Sequence, residues 1–177
     1  MARRVRRRYP QLGEEEWKQV EQGLREWFIC CAWRGRSLLG MPSRVVDDAW
    51  HEFILDSVAY TAFCEAAFGA YLHHTPDEAM STPMAAALEN TVRAWDRSDA
   101  GADQDSVLWD LDERLGIPEP LGISGLQLGA ARSGASAIGA PGMAGACAGW
   151  AGGGGSGDGG GGCSGGGCGG GGCGGGG

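Results

Sequence analysis

The chain has 177 residues, of which 35 are glycines lying mostly in the last third, so the part able to build a core is roughly the first 117 residues. A segment of about 115 residues can bury one modest core without a disulfide or a metal. The formal net charge is −8, yet MARRVRRR holds five arginines and no acid, which leaves about −13 on the remainder: an acidic body with a basic arm.

The arm, residues 1–13, reads as disordered and solvated. Through Arg3, Arg4, Arg6, Arg7 and Arg8 it offers a weak contact for nucleic acid or an anionic surface. No apolar h-region follows the arginines, since Tyr9, Pro10 and Gln11 run into Glu14, Glu15 and Glu16, so no secretory signal is expected. The weakly apolar run from Leu121 to Trp150 is Gly, Ala and Ser broken by Gln127, Arg132 and Pro141, which argues against a spanning helix. The expected compartment is cytoplasmic.

The first strong pattern is EEEWKQVEQGLREWFICCAW. Trp17, Val20, Leu24, Trp27, Phe28 and Cys31 recur at spacings of three, four and seven, and the three glutamates suit the positive end of a helix. A second helix follows Pro42 with Ser43 as its N-cap and Val46, Ala49, Trp50, Phe53 and Ile54 on one face. A third runs from Ser57 to Phe68, with Tyr60, Phe63, Cys64 and Ala67 as its stripe, Gly69 as its stop and a tight bend at Asp56-Ser57 before it.

After His73-His74, Thr75 with Pro76 and Glu78 reads as a capping box, and Thr82-Pro83 as the start of a fourth helix, with the proline at N1 and Met84, Leu88, Val92 and Trp95 as its stripe. A polar turn from Ser98 to Asp105 leads to a last helix, SVLWDLDERL, ended by Gly116 and Pro118. Nothing here alternates at period two over strand length. The expectation is an all-α fold, an irregular bundle of about five helices over residues 14–117. A Gly/Ala/Ser linker over 118–150 and a disordered Gly/Cys-rich tail over 151–177 would follow it, because glycine loses the most backbone entropy on ordering and has no side chain to bury.

Chemistry concentrates in VVDDAWHEFILD, which holds one of the three histidines. On a helix, Asp47 stands four residues before His51 and Asp48 three, so either carboxylate can reach the imidazole. If the second and third helices pack as a hairpin, His51 could approach His73 or His74. Two imidazoles and a carboxylate would then make three ligands of a divalent transition metal such as zinc, with open positions left for hydrolysis or redox chemistry. The competing interpretation is a charge-assisted His-Asp pair and histidines that favour a helix C-terminus. The metalloprotease spacing His-Glu-x-x-His fails because Leu55 stands where the second histidine would be.

The chain shows no Gly-x-Ser-x-Gly elbow and no phosphate-binding loop, and the tail glycines are not set between a strand and a helix, which argues against a nucleotide enzyme. Of the seven cysteines, Cys30, Cys31 and Cys64 read as small core residues. Cys147 lies further on, and Cys163, Cys168 and Cys173 form a C-x4-C-x4-C array of exposed thiols open to a soft metal or to modification.

The block from Met41 to Pro76, with its Asp-x-Ala-Trp-His helix, aromatic-Cys helix and His73-His74 turn, followed by a Gly/Cys tail, resembles the bacterial glycine-rich domain-containing proteins, relatives of the plant glycine-rich domain proteins. The resemblance implies an architecture and no activity, and it singles out Asp48, Trp50, His51 and His74 as matching motif positions. The leading expectation is therefore a binding or interaction module without turnover that meets an unknown protein partner. Two alternatives stay open: the metal site at His51 with His73 or His74 and Asp47 or Asp48, and a tail that is the modified, functional part.

Overall fold

The structure is a computed structural model that describes residues 3–76, 79–134 and 147–150, with backbone only for Arg3 and the last four. Among them eight α-helices and one antiparallel strand pair follow in order: α1 (Arg3–Arg8), α2 (Glu14–Trp33), α3 (Arg44–Leu55), α4 (Ser57–Phe68), β1 (Leu72–Thr75), α5 (Met84–Asp96), α6 (Asp99–Asp103), a 3-10 turn (Val107–Trp109), α7 (Leu111–Arg114), α8 (Gly125–Ser133) and β2 (Cys147–Trp150). The mostly helical class matches the sequence expectation. The Gly/Cys tail, with Cys163, Cys168 and Cys173, lies outside the described residues.

The long amphipathic helix α2 is the hub, touching α3, α5, α7 and the 3-10 turn. Its buried face carries Trp17, Val20, Trp27, Cys30 and Cys31, with Leu24 and Phe28 packed at the edge. Gly23 lets α3 and α7 approach, since a Cβ there would stand 2.9 Å from Val46 Cγ2 and 3.1 Å from Leu111 Cδ2. The Trp27 and Trp50 rings meet at 5.4 Å in the core between α2 and α3.

The N-terminus of α3 is locked twice. Ser43 caps it by accepting from the Val46 amide at 3.4 Å, as its position before the helix predicts. The fully buried Asp112 carboxylate, on α7, also accepts from Ser43 Oγ and the Arg44 amide at 2.7 Å each, from the Val45 amide at 3.3 Å and from the Leu121 amide at 2.9 Å. A negative charge satisfying the orphan amides at the positive end of a helix is favourable on both counts. Asp56 ends α3 and caps α4, and Gly69, at φ 69°, stops α4 in the left-handed region where glycine carries no Cβ penalty.

The structure corrects several expectations. Residues 3–8 are helical, where a disordered arm is expected, because Val5, Tyr9 and Leu12 recur at helical spacing and are buried, with Arg6 paired to Glu14 and Arg8 to Asp48. Ala67 is exposed, outside the α4 stripe. Thr75 belongs to a strand, and helix α5 begins at Met84 with Pro83 as its N-cap. The turn after Ser98 closes into α6, capped by the Ser98 hydroxyl on the Gly101 amide.

The expected last helix is split. Glu26, buried on α2, accepts from Ser106 Oγ at 2.6 Å and from the Val107 amide at 2.8 Å, which draws this end of the segment into a 3-10 turn before α7. The expected linker holds α8, opened by a reciprocal Ser124–Gln127 capping box and clamped by Arg132 to Asp96 and Asp105. Its far end holds β2, which pairs with β1 as Leu72↔Trp150, His73↔Gly149, His74↔Ala148 and Thr75↔Cys147. Four-residue strands are too short to announce themselves by alternation, and this pair exists through its cross-strand pairing.

Candidate metal centre

The site stands where the solvent edge of α3 meets β1. Asp47 lies in the first turn of α3 and His51 one turn later, so both project on the same side. His51 Nδ1 is 2.8 Å from the Asp47 carbonyl oxygen and 3.3 Å from Asp47 Oδ2. The bond to Asp47 is the main cause that raises the imidazole to about 8, against partial desolvation that pulls it down. The Asp47 side chain is largely buried, and its Oδ1 has no hydrogen-bond partner among the described residues.

The third member comes from β1. The His74 ring faces His51 at 4.4 Å between centroids and Trp50 at 5.2 Å. Strand geometry separates the two adjacent histidines, because successive side chains point to opposite faces. His74 follows Leu72 towards the protein, whereas His73 is exposed with its ring 4.9 Å from Tyr71. Asp47, His51 and His74 each offer a donor atom, all within 4.8 Å of one another. His73 lies outside this group.

Asp48 is turned elsewhere. About 100° further round α3, it accepts from the Tyr9 hydroxyl and pairs with Arg8, fastening α1 to the body. Of the two carboxylates beside His51, the structure thus gives Asp47 to the histidines and Asp48 to the arm.

A buried relay fixes β1 against α3. Trp50 Nε1 donates to the Tyr60 hydroxyl at 3.2 Å, and that hydroxyl donates to the Leu72 carbonyl at 2.7 Å. Burial pushes the Tyr60 hydroxyl well above its ordinary value, so it remains a protonated donor. Beside His51 a cleft of about 270 Å³ opens, lined also by Arg4, Val5, Arg8, Asp48 and Glu52.

The sequence brings Asp47 and His51 together by spacing alone and permits the approach of either later histidine. It does not reveal Asp112, whose carboxylate orients α3, or Tyr60 as the tie to β1. The serine N-cap at Ser43 was a legible sign of where α3 starts, but nothing local marks which acid of DLDER turns inward. The buried thiols of Cys30, Cys31 and Cys64 take no part in the donor group, and burial holds that of Cys30 well above the usual thiol range. No helix among the described residues is long and apolar enough to cross a membrane.

A comparison with protein families matches residues 1–120 to the UCP032817-like family, whereas no curated protein and no solved structure matches the chain. The resemblance to glycine-rich domain proteins is thereby corrected, since the match covers the arm and helical body and nothing indicates a glycine-rich domain family. The residues that suggested it have explicable roles in this body: Trp50 in the core, Asp48 on the arm, His51 and His74 at the edge. The match brings no activity with it. Because it spans well over half of the sequence, the chain belongs to the UCP032817-like family.

Proposed function

We propose that the protein binds a divalent transition metal, zinc being the natural candidate, through Asp47, His51 and His74. The observation that carries this reading is the convergence of three donors from two separate elements to within 4.8 Å. Two ligands held about 2.0–2.1 Å from a tetrahedral ion stand about 3.4 Å apart. His51 Nδ1 and Asp47 Oδ2, at 3.3 Å, already have that separation. The wider spacing to the third donor asks for a small inward swing, and His51, whose side chain is 45 % exposed, has room to make it. Two imidazoles and one carboxylate suit zinc or iron(II) and leave positions for water or a ligand.

The proton now held between His51 Nδ1 and Asp47 is what the ion would replace, so uptake releases a proton and weakens as pH falls below about 8. The test uses the full chain with Cys147, Cys163, Cys168 and Cys173 changed to serine, so that tail thiols do not compete. Titration with cobalt(II) should give one equivalent of a site with visible absorption. His51→Ala or His74→Ala should abolish it, and His73→Ala should leave it intact. Stoichiometric binding that persists in the His51→Ala/His74→Ala double variant would overturn the assignment.

A further inference from the structure

The flank of α3 turned away from the histidines borders a second feature. Phe53 lies about 160° round the helix from His51, at roughly 100° per residue. Here an apolar groove of about 540 Å³ runs between α2, α3 and α4, walled by Leu24, Phe28, Phe53 and Phe63. The phenyl rings brace one another, Phe28 on Phe63 at 4.6 Å, Phe53 on Phe63 at 5.4 Å and Phe28 on Phe53 at 6.3 Å, so the floor is preformed. Asp56, at the α3–α4 bend, stands at the groove's rim, and its sequence neighbours Leu55 and Val58 are 65 % and 82 % exposed.

That rim is acidic. Glu21, Glu52 and Asp56 border the groove with one cation, Arg25, and none of the three carboxylates ion-pairs with a basic side chain among the described residues. We propose that this groove docks a helical segment of a partner protein that presents apolar anchors one turn apart, flanked by lysine or arginine. An apolar channel between helices takes an amphipathic helix by its anchors, and the surrounding carboxylates choose the sign of its flanks. The same charges disfavour a second copy, because two acidic rims brought face to face would repel. Metal binding plays no part in this contact.

The test uses the full chain and a fluorescein-labelled helical peptide of leucine and lysine, with a leucine–glutamate peptide of the same pattern as control, read by fluorescence anisotropy. The lysine peptide should bind saturably at one per chain and the glutamate peptide should not. Glu21→Lys/Glu52→Lys should weaken the lysine peptide by about 10-fold or more, a change of about 1.4 kcal/mol. Asp103→Lys/Glu113→Lys, the same charge change outside the groove, should leave affinity within about twofold, with circular dichroism confirming that both variants fold. Equal losses in the two double variants would mean unspecific attraction to an acidic body, and equal binding of both peptides would mean apolar adhesion alone. Either result overturns the proposal, as does a dimer in sedimentation that Leu24→Glu converts to monomer.

Discussion

His51 and His74 face each other across 4.4 Å although one stands on a helix and the other on a strand. The closeness matters because Asp47, on the His51 side, raises that imidazole to about 8. Near neutral pH His51 is therefore mostly a cation, set beside a second imidazole and a carboxylate. A folded value above the ordinary 6.5 means that the pair's stabilisation is fully present below about pH 6.5 and is lost as pH rises through about 8. Its size is modest because nearly half of the ring is in water. Proton NMR of the ring should show a midpoint near 8, and Asp47→Asn should move it down towards 6.5. The stability gap between the two proteins should be widest just below pH 6.5 and close above about pH 8. An unmoved midpoint in Asp47→Asn would show that some other group holds the proton.

Much of the frame was legible in the chain, and the reasons for the rest are physical. Helices α2 to α5 announce themselves because apolar side chains recur at helical spacing and caps such as Ser43 and Gly69 stand at their ends. Helix α1 was hidden because five arginines outweigh Val5 and Tyr9 in any compositional view, and α8 because its glycines and alanines leave almost no apolar stripe. Its Ser124–Gln127 capping box is a local signal that the linker expectation passed over. The site was half legible: the Asp47–His51 spacing is local, but the choice between His73 and His74 depends on a strand that exists only through pairing with residues 147–150.

Tyr60 is the hinge pin of that geometry. Tyr60→Phe removes the acceptor of Trp50 Nε1 and the donor to the Leu72 carbonyl while leaving ring packing in place. The cost should be about 1–3 kcal/mol in urea unfolding, the penalty of buried polar groups left without partners. If β1 is positioned through this relay, the variant should also hold cobalt(II) less tightly although Tyr60 touches no donor atom. Reduced stability with unchanged metal affinity would show that the strand is positioned by other contacts.

The buried Asp112 carboxylate at the start of α3 gathers four hydrogen bonds. Asp112→Ala leaves Ser43 Oγ and the amides of Arg44, Val45 and Leu121 without their acceptor, in a place water does not reach. The loss should be on the order of 3 kcal/mol or more in urea unfolding. Asp110→Ala, on an exposed carboxylate that pairs with Arg114, should cost no more than about 1 kcal/mol. Comparable costs for the two would mean that Asp112 is not the clasp that the geometry indicates.

Helix α1 supplies the last test, because six residues cannot hold a helix on their own in water. What holds it is the burial of Val5, Tyr9 and Leu12, together with the Tyr9 and Arg8 contacts to Asp48. Val5→Asp places a charge in that contact, removing about 1.5–3 kcal/mol of apolar burial and adding a desolvation cost. Hydrogen exchange should then show α1 amides losing protection while those at the centre of α2 keep theirs. Arg4 and Arg8 line the cleft beside His51, so release of α1 should also open the imidazole to water, remove two neighbouring cations and raise its midpoint in steady ionic strength. Unchanged protection in α1 would mean that its arginine contacts alone suffice, and the same variant in high salt would then unfold the segment, since exposed pairs are screened there and apolar contacts are not.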